Sequence, residues 1–155
     1  MDWYYDYLKR RDMTFRLHGE EMLRSNGKGF PQGGVCSAKF WLIAFNEAIK
    51  IINTPQIEGN GYADDCSAIA GGPRLDHLIS RMEKMLKKLV DWGKICGLSF
   101  NKEKTVVVLF SRKRKEPSKK LTFDGVKLDY SETVKYLGVT LDRKLHWKTH
   151  IHQKN

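Results

Sequence analysis

Tyr62-Ala63-Asp64-Asp65 sets two adjacent carboxylates between runs of apolar or small residues, Ile57–Tyr62 and Cys66–Ala70. Successive side chains of a strand point to opposite faces, so an ordinary strand would not aim both aspartates at one target. A tight hairpin turn would, because Asp tolerates turn geometry and positive φ better than most residues. Two negative charges on one turn repel unless a cation relieves them, and hard divalent cations take oxygen ligands. The chemistry open to these residues is a Mg²⁺ site at the tip of a β-hairpin. An exposed acidic turn is the alternative, and for a bare Asp-Asp pair the commoner one, so the flanking elements must decide.

Those elements can be read on both sides. Upstream, Asp2–Arg11 has helical spacing of Trp3, Tyr4, Tyr7 and Leu8, and Thr14–His18 and Glu21–Arg24 read as strands joined at Gly19-Glu20. The loop Asn26-Gly27-Lys28-Gly29 leads into Phe30-Pro31-Gln32-Gly33-Gly34, whose paired glycines allow close approach of a ligand to the backbone. Ser37 suits the N-cap of a helix running to about Asn53, where Pro55 forbids continuation. Trp41, Ala44, Phe45, Ala48, Ile49 and Ile52 make its apolar stripe. Phe40, Leu42 and Ile43 widen that stripe nearly all round, which predicts a buried helix. The glycine loop before it is not a Walker loop, since no Gly-Lys-Ser/Thr follows.

Downstream, Gly71-Gly72 closes the acidic hairpin and Pro73 suits the first turn of a helix. Leu75, Leu78, Ile79, Met82, Leu86, Leu89 and Val90 form the cleanest amphipathic pattern in the chain, with Glu83/Lys87 spaced to pair and Gly97 as the stop. Thr105–Phe110 is a β-branched run that predicts a strand buried on both faces. Asp124-Gly125 between Leu121–Phe123 and Val126–Leu128 predicts a hairpin. Val134–Leu141 reads as a strand interrupted by Gly138, and Leu145–Asn155 as the beginning of a further element.

The 155 residues are enough for one domain, and 41% hydrophobic with 30% charged residues are globular values. No apolar run approaches the ~20 residues needed to span a bilayer, and the N-terminus lacks the pattern of a signal peptide. Cys36, Cys66 and Cys96 lie far apart without metal-ligand spacing, which predicts reduced thiols in an intracellular protein. The formal charge of +10 is one-sided. Residues 1–72 hold 8 Lys/Arg against 9 Asp/Glu, whereas residues 73–155 hold 20 against 9. Such a surface suits a polyanion, most often nucleic acid; a solvated lysine-rich surface is the other reading. Arg112-Lys113-Arg114-Lys115 is open to two readings, a nuclear localisation run or a loop on a nucleic-acid backbone, so nucleus and cytoplasm both stand.

Taken in order, these stretches resemble the reverse transcriptases, specifically those of non-LTR retrotransposons. Phe30-Pro31-Gln32-Gly33-Gly34-Val35-Cys36-Ser37 is similar to the family's Pro-Gln-Gly loop, and Gly61-Tyr62-Ala63-Asp64-Asp65 to its catalytic Tyr-x-Asp-Asp box. Gly97-Leu98-Ser99-Phe100-Asn101 with Lys104-Thr105 is similar to the motif that follows. Val134-Lys135-Tyr136-Leu137-Gly138-Val139, with Leu141-Asp142, Leu145, Trp147, His150 and Ile151, is similar to the primer grip leading into the thumb. Each signature alone is modest. Four in the family's order across residues 30–151 make coincidence a poor explanation.

The resemblance implies an α+β fold, a ferredoxin-like polymerase palm whose antiparallel sheet carries helices on one face, with fingers and thumb truncated. It divides residues 1–155 into a fingers/palm connection with the Pro-Gln-Gly loop (1–34), palm (35–110), basic loop and primer-grip strands (111–141) and the start of the thumb (142–155). It implies an RNA template, a DNA primer and deoxynucleoside triphosphates as partners, no membrane, and two Mg²⁺ ions about 3.5–4 Å apart. Asp64 would be the principal metal ligand and Asp65 its supporting carboxylate, joined by a third aspartate. Tyr62 would sit beside the primer terminus, and Gln32 and Gly33 near the incoming nucleotide and template. Lys104 would protonate the pyrophosphate, with a plain solvent lysine as the alternative. Tyr136, Leu137 and Gly138 would position the primer, with a core strand as theirs.

Two departures qualify this. Ala38-Lys39 follows Ser37 where the family commonly has Pro, which touches the loop-to-helix geometry. The family's first catalytic aspartate has no counterpart, since Asp2, Asp6 and Asp12 lie in or at the end of the first helix. The expectation is a chain inactive by itself. A catalytically dead nucleic-acid-binding module, or retroelement relic, is the competing reading, motivated by the basic second half.

Overall fold

A computed structural model of the chain describes residues 6, 9, 11–111 and 119–154. Of the helix expected over Asp2–Arg11, Asp6 and Lys9 are helical, Arg11 is not, and residues 2–5, 7, 8 and 10 lie outside the described residues, as does Arg112–Lys115. The chain falls into two compact units, Met1–Asn46 and Glu47–Asn155. Its elements are strands β1 (Asp12–Leu17) and β2 (Glu20–Ser25), helix α1 (Ser37–Ile52), strands β3 (Ile57–Tyr62) and β4 (Asp65–Ala70), and helix α2 (Leu75–Cys96). Strands β5 (Leu121–Phe123), β6 (Val126–Leu128), β7 (Thr133–Tyr136) and β8 (Val139–Asp142) follow, then helix α3 (Lys148–Lys154).

Fold class is mixed α and β, with antiparallel pairing, as expected. The single sheet is not formed: among the described residues the strands pair only as four separate hairpins, β1–β2, β3–β4, β5–β6 and β7–β8. Each hairpin has a two-residue loop. His18-Gly19, Asp124-Gly125 and Leu137-Gly138 have positive φ at both loop positions, the turn chemistry whose twist matches the flanking strands. Gly138 therefore reverses the chain, and the continuous strand expected over Val134–Leu141 is in fact β7, a turn and β8. Local turns won over strand propensity here.

The strand expected over Thr105–Phe110 is also absent. Among the described residues only Val107 bridges, in parallel, to Tyr130, and its carbonyl accepts from Ser131 N at 2.8 Å. Asn101 Oδ1 accepts from Glu103 N and Lys104 N at 3.0 and 3.1 Å, and Thr105 Oγ1 donates to Asn101 O at 2.7 Å. These bonds hold the entry to the run in a turn, and a β-branched sequence with no partner strand beside it stays irregular.

In the first unit both strands of the β1–β2 hairpin are exposed throughout. Phe30 stacks on Phe40 at 5.7 Å and Trp41 on Phe45 at 5.3 Å. Of helix α1, Phe45 in this unit is buried, as are Ala48 and Ile52 in the second, while Leu42 and Ile43 are 58% and 69% exposed. The expectation of a helix buried nearly all round is thus corrected for those two residues.

In the second unit α2 turns Ile79, Met85, Leu89 and Gly93 inward and lies against β5, where Leu121 and Phe123 are buried. Pro73 precedes the helix rather than opening it; Arg74 occupies the cap. Gly97 ends α2 at φ 70°, ψ 28°, with Leu98 N donating to Gly93 O at 2.7 Å, the left-handed stop that its sequence predicts. Glu83 turns to β5, where its Oε1 accepts from Thr122 N at 3.0 Å. That bond closes the outer edge of the β5–β6 hairpin, a group that would otherwise be open to another strand.

Candidate metal-binding turn and its supports

The acidic hairpin is built on small residues. Ile57, Gly59, Gly61, Cys66, Ala68 and Ala70 alternate onto one face of β3–β4, and Glu58, Asn60, Tyr62, Asp65, Ser67 and Ile69 onto the other. Ile57 is buried at the base of the first face, and Gly59 lets Ile52 of α1 press directly on the strand. A Cβ at Gly59 would overlap Ile52 Cγ2 and lie 2.8 Å from Ile52 Cβ. Asn53, the residue after α1, clamps the same glycine from both sides. Its Oδ1 accepts from Gly59 N at 3.0 Å, and its Nδ2 donates to Gly59 O and Ile49 O, each at 3.1 Å. Thr54 and Ile57 close this connection with a bridge of their own.

At the far end, Tyr62 pairs with Asp65, and Ala63-Asp64 forms the loop. The positive φ expected of an aspartate falls on Ala63 instead, at 52°. The two carboxylates are placed differently: Asp64 stands in the loop, and Asp65 is the first residue of β4, on the Tyr62 face. Both are exposed. Among the described residues neither carboxylate has a hydrogen-bond or ion-pair partner. Two free oxygen donors on a braced turn are hard ligands of the kind Mg²⁺ takes, so the residues fit part of a coordination sphere. They do not fill one. Among the described residues no group of three His, Cys, Asp or Glu is placed to hold a metal. Beside the turn, burial chiefly, and then the Asp65 charge, push the Cys66 thiol above its ordinary value. Cys66 is half-buried, and all three cysteines are free.

The Pro-Gln-Gly loop belongs to the first unit and is equally defined. Gly34 N donates to Pro31 O at 3.1 Å, with Gly33 at φ 84°. A positive φ at the third position of such a turn marks type II and demands glycine or asparagine there. Ser37 does not cap α1 as expected. It is the first helical residue, 9% exposed, and its Oγ donates to Pro31 O at 2.5 Å. The hydroxyl ties the helix back to the turn, leaving Gln32 and Gly33 exposed at its tip.

The remaining residues are spread out. Lys104 is exposed in the turn after α2, its backbone N–H bonded to Asn101. Tyr136, Leu137 and Gly138 form the end and tip of the β7–β8 hairpin, with Leu137 at φ 48° and 50% exposed. The structure therefore brings together Tyr62, Asp64 and Asp65 on one hairpin; Lys104 and the Tyr136–Gly138 tip stand on other elements. Gly59 and Asn53 are supports that sequence reasoning passed over. The signal was present in Asn53, which follows the helix and precedes Pro55, and in a glycine between isoleucine and the catalytic-type box.

After that tip, Asp142 organises the entry to α3. Its carboxylate accepts from the N–H of Lys144, His146 and Trp147 at 2.9–3.1 Å. The His146 N–H foremost, with those of Lys144 and Trp147, holds the Asp142 carboxyl below the usual range against the opposing effect of partial desolvation.

Comparison with known proteins agrees with these motifs. Residues 1–141 match the family described as reverse transcriptase (RNA-dependent DNA polymerase). A putative 115 kDa protein in the type-1 retrotransposable element R1DM of Drosophila melanogaster is 26% identical over 125 residues, covering 80% of this chain and 12% of that protein. A retrovirus-related Pol polyprotein from the type-1 retrotransposable element R1 of Nasonia vitripennis is 21% identical over 122 residues, 76% of this chain and 36% of that one. The RNA-directed DNA polymerase from the mobile element jockey of Drosophila melanogaster is 22% identical over 151 residues, 94% of this chain and 16% of that protein. The chain thus spans from about a tenth to about a third of the curated relatives it matches. No solved structure gives a significant match.

Proposed function

Because this chain belongs to the reverse transcriptase (RNA-dependent DNA polymerase) family, we propose that it carries the metal-binding turn of an RNA-directed DNA polymerase of the non-LTR retrotransposon type. The observation that carries this reading is the pair of exposed carboxylates, Asp64 and Asp65, without a partner among the described residues, on a hairpin braced from α1. Two Mg²⁺ ions bound there would supply the positive charge that activates a primer 3′-oxygen and stabilises departing pyrophosphate. Asp64 is the principal ligand and Asp65 the supporting one. Tyr62, on the Asp65 face, offers an apolar wall to the primer terminus. Gln32 and Gly33, on their fixed turn, meet the incoming nucleotide and template. Tyr136, Leu137 and Gly138 hold the primer strand, and Lys104 delivers a proton to pyrophosphate. RNA template, DNA primer and deoxynucleoside triphosphates are the partners this reading requires.

In the same reading residues 35–110 are palm, residues 1–34 its connection to the fingers, residues 111–141 the basic loop and primer grip, and residues 142–155 the start of the thumb. The ferredoxin-like palm arises when β3–β4 gains a further strand bearing the third carboxylate. Two carboxylates do not complete the site, so the 155-residue chain by itself adds no measurable nucleotides. Primer extension on poly(rA)/oligo(dT) with Mg²⁺ tests this: no extension is expected, and robust extension abolished by Asp64→Asn would overturn the inactivity. A second reading, a nucleic-acid-binding module without catalysis, is favoured by the basic excess of residues 73–155. It requires RNA binding that survives Asp64→Asn.

A further inference from the structure

We propose that the outer face of α2 is a separate binding surface for a nucleic-acid phosphate backbone, formed by Arg81, Lys84 and Lys88. This goes beyond the polymerase reading, because the surface lies on a different element from the metal-binding turn and uses none of its residues. The spacing of three, then four, residues lines the cations along one stripe of the helix. All three are exposed, on the side turned away from buried Ile79, Met85, Leu89 and Gly93.

Among the described residues none of the three cations has an acidic partner. The acids of α2 are engaged elsewhere: Asp76 with Lys119 at 3.9 Å, Glu83 with Thr122 N–H, and Asp91 with Lys94 at 3.9 Å. Arg81 beside Lys84, and Lys84 beside Lys88, are like-charge neighbours that cost helix stability when nothing compensates them. A polyanion laid along the stripe removes that repulsion. The adjoining groove, lined by Glu83, Lys87, Asp91, Lys94 and Asp124, carries mixed charge and repels phosphate as much as it attracts. The favourable track is therefore the Arg81–Lys84–Lys88 stripe and not the groove.

The partner chemistry follows from what surrounds the cations. A membrane-surface helix sets apolar side chains beside its basic ones so that they enter the lipid. On α2 Ser80 is the exposed neighbour of Arg81, and the apolar residues between Arg81 and Lys88 are buried or half-buried; Ile95, exposed, stands alone two turns beyond Lys88. Repeated phosphates along a flexible strand match a linear row of cations without any apolar insertion.

The test is fluorescence anisotropy of the 155-residue chain with fluorescein-labelled oligouridine about 20 nucleotides long, titrated between about 50 and 200 mM salt. Wild type is expected to bind, with an affinity that falls steeply with salt. An Arg81→Gln/Lys84→Gln/Lys88→Gln variant should lower the log–log salt slope by about 2, since each single-strand phosphate contact contributes roughly 0.7. A control removing three other exposed lysines, Lys39→Gln/Lys144→Gln/Lys148→Gln, should retain most of the slope. Undetectable wild-type binding, an unchanged stripe variant, or equal losses in stripe variant and control would each overturn the proposal. None of these results alters the polymerase reading, which rests on Asp64 and Asp65. Circular dichroism melts of each variant confirm that the folded chain is being compared, since all six positions are exposed.

Discussion

Ile52 presses on the backbone of Gly59 so closely that no side chain can stand between them. This contact joins the end of α1 to the first strand of the acidic hairpin, and the Asn53 clamp fixes the same glycine along the strand. The position of Asp64 and Asp65 is thus set from below, by a buried isoleucine and a missing Cβ. Gly59→Ala should therefore destabilise the chain by about 1–3 kcal/mol, the range for forcing extra volume into a packed core. The shift is read as a lowered urea midpoint. Asp64→Asn, on an exposed turn, should leave that midpoint within about 0.5 kcal/mol of wild type.

At Gly33 the constraint is conformational and not steric. Its φ is 84°, and nothing lies within 4 Å of the point where a Cβ would stand, so a substitution there pays only for the left-handed backbone. Gly33→Ala should cost about 1–2 kcal/mol, and Gly33→Asn less, because asparagine accepts that conformation. Chemical denaturation of the two variants separates the effects; equal losses would mean that the type II turn does not govern this position.

Asp142 gives the chain a pH-dependent joint. Its carboxyl is lowered from 3.8 in the folded state by the N–H groups of the α3 entry. A depressed carboxyl contributes stability that is present above the unfolded value and is lost as pH falls through the folded one. The joint should hold at pH above about 4 and loosen as acidity passes below that. The protection factors of the His146 and Trp147 amides, the observed exchange rates corrected for the intrinsic rate at each pH, should fall across this acidic window in wild type and be low at every pH in Asp142→Ala.

Much of this arrangement was legible in the residues because the signals were local. Asp124-Gly125 specified its hairpin, Gly97 stopped α2, and the Tyr62–Asp65 box fell on a two-residue turn. What failed depended on partners remote in sequence. Thr105–Phe110 has strand composition but finds only the single Val107–Tyr130 bridge, and composition does not report whether a neighbouring strand exists. Ser37 looked like a cap because Ser caps helices; Pro31 O, six residues back, claimed its hydroxyl instead. Leu42 and Ile43 follow helical periodicity yet remain exposed, because periodicity identifies an apolar face and not what covers it. The positive φ fell on Ala63, a distinction one residue wide that Asp-Asp composition does not encode.

The central claim is that Asp64 and Asp65 form the chain's share of a divalent-metal site. Titration of the ¹⁵N-labelled chain with Mn²⁺, observed by amide NMR, addresses it without requiring turnover. Paramagnetic broadening should centre on Tyr62–Cys66 at roughly millimolar metal, the weak end expected of few carboxylate ligands. It should be reversed by excess Mg²⁺ and lost in Asp64→Asn. Broadening that persists unchanged in Asp64→Asn, or that gathers at other acidic residues and spares this turn, would contradict the account.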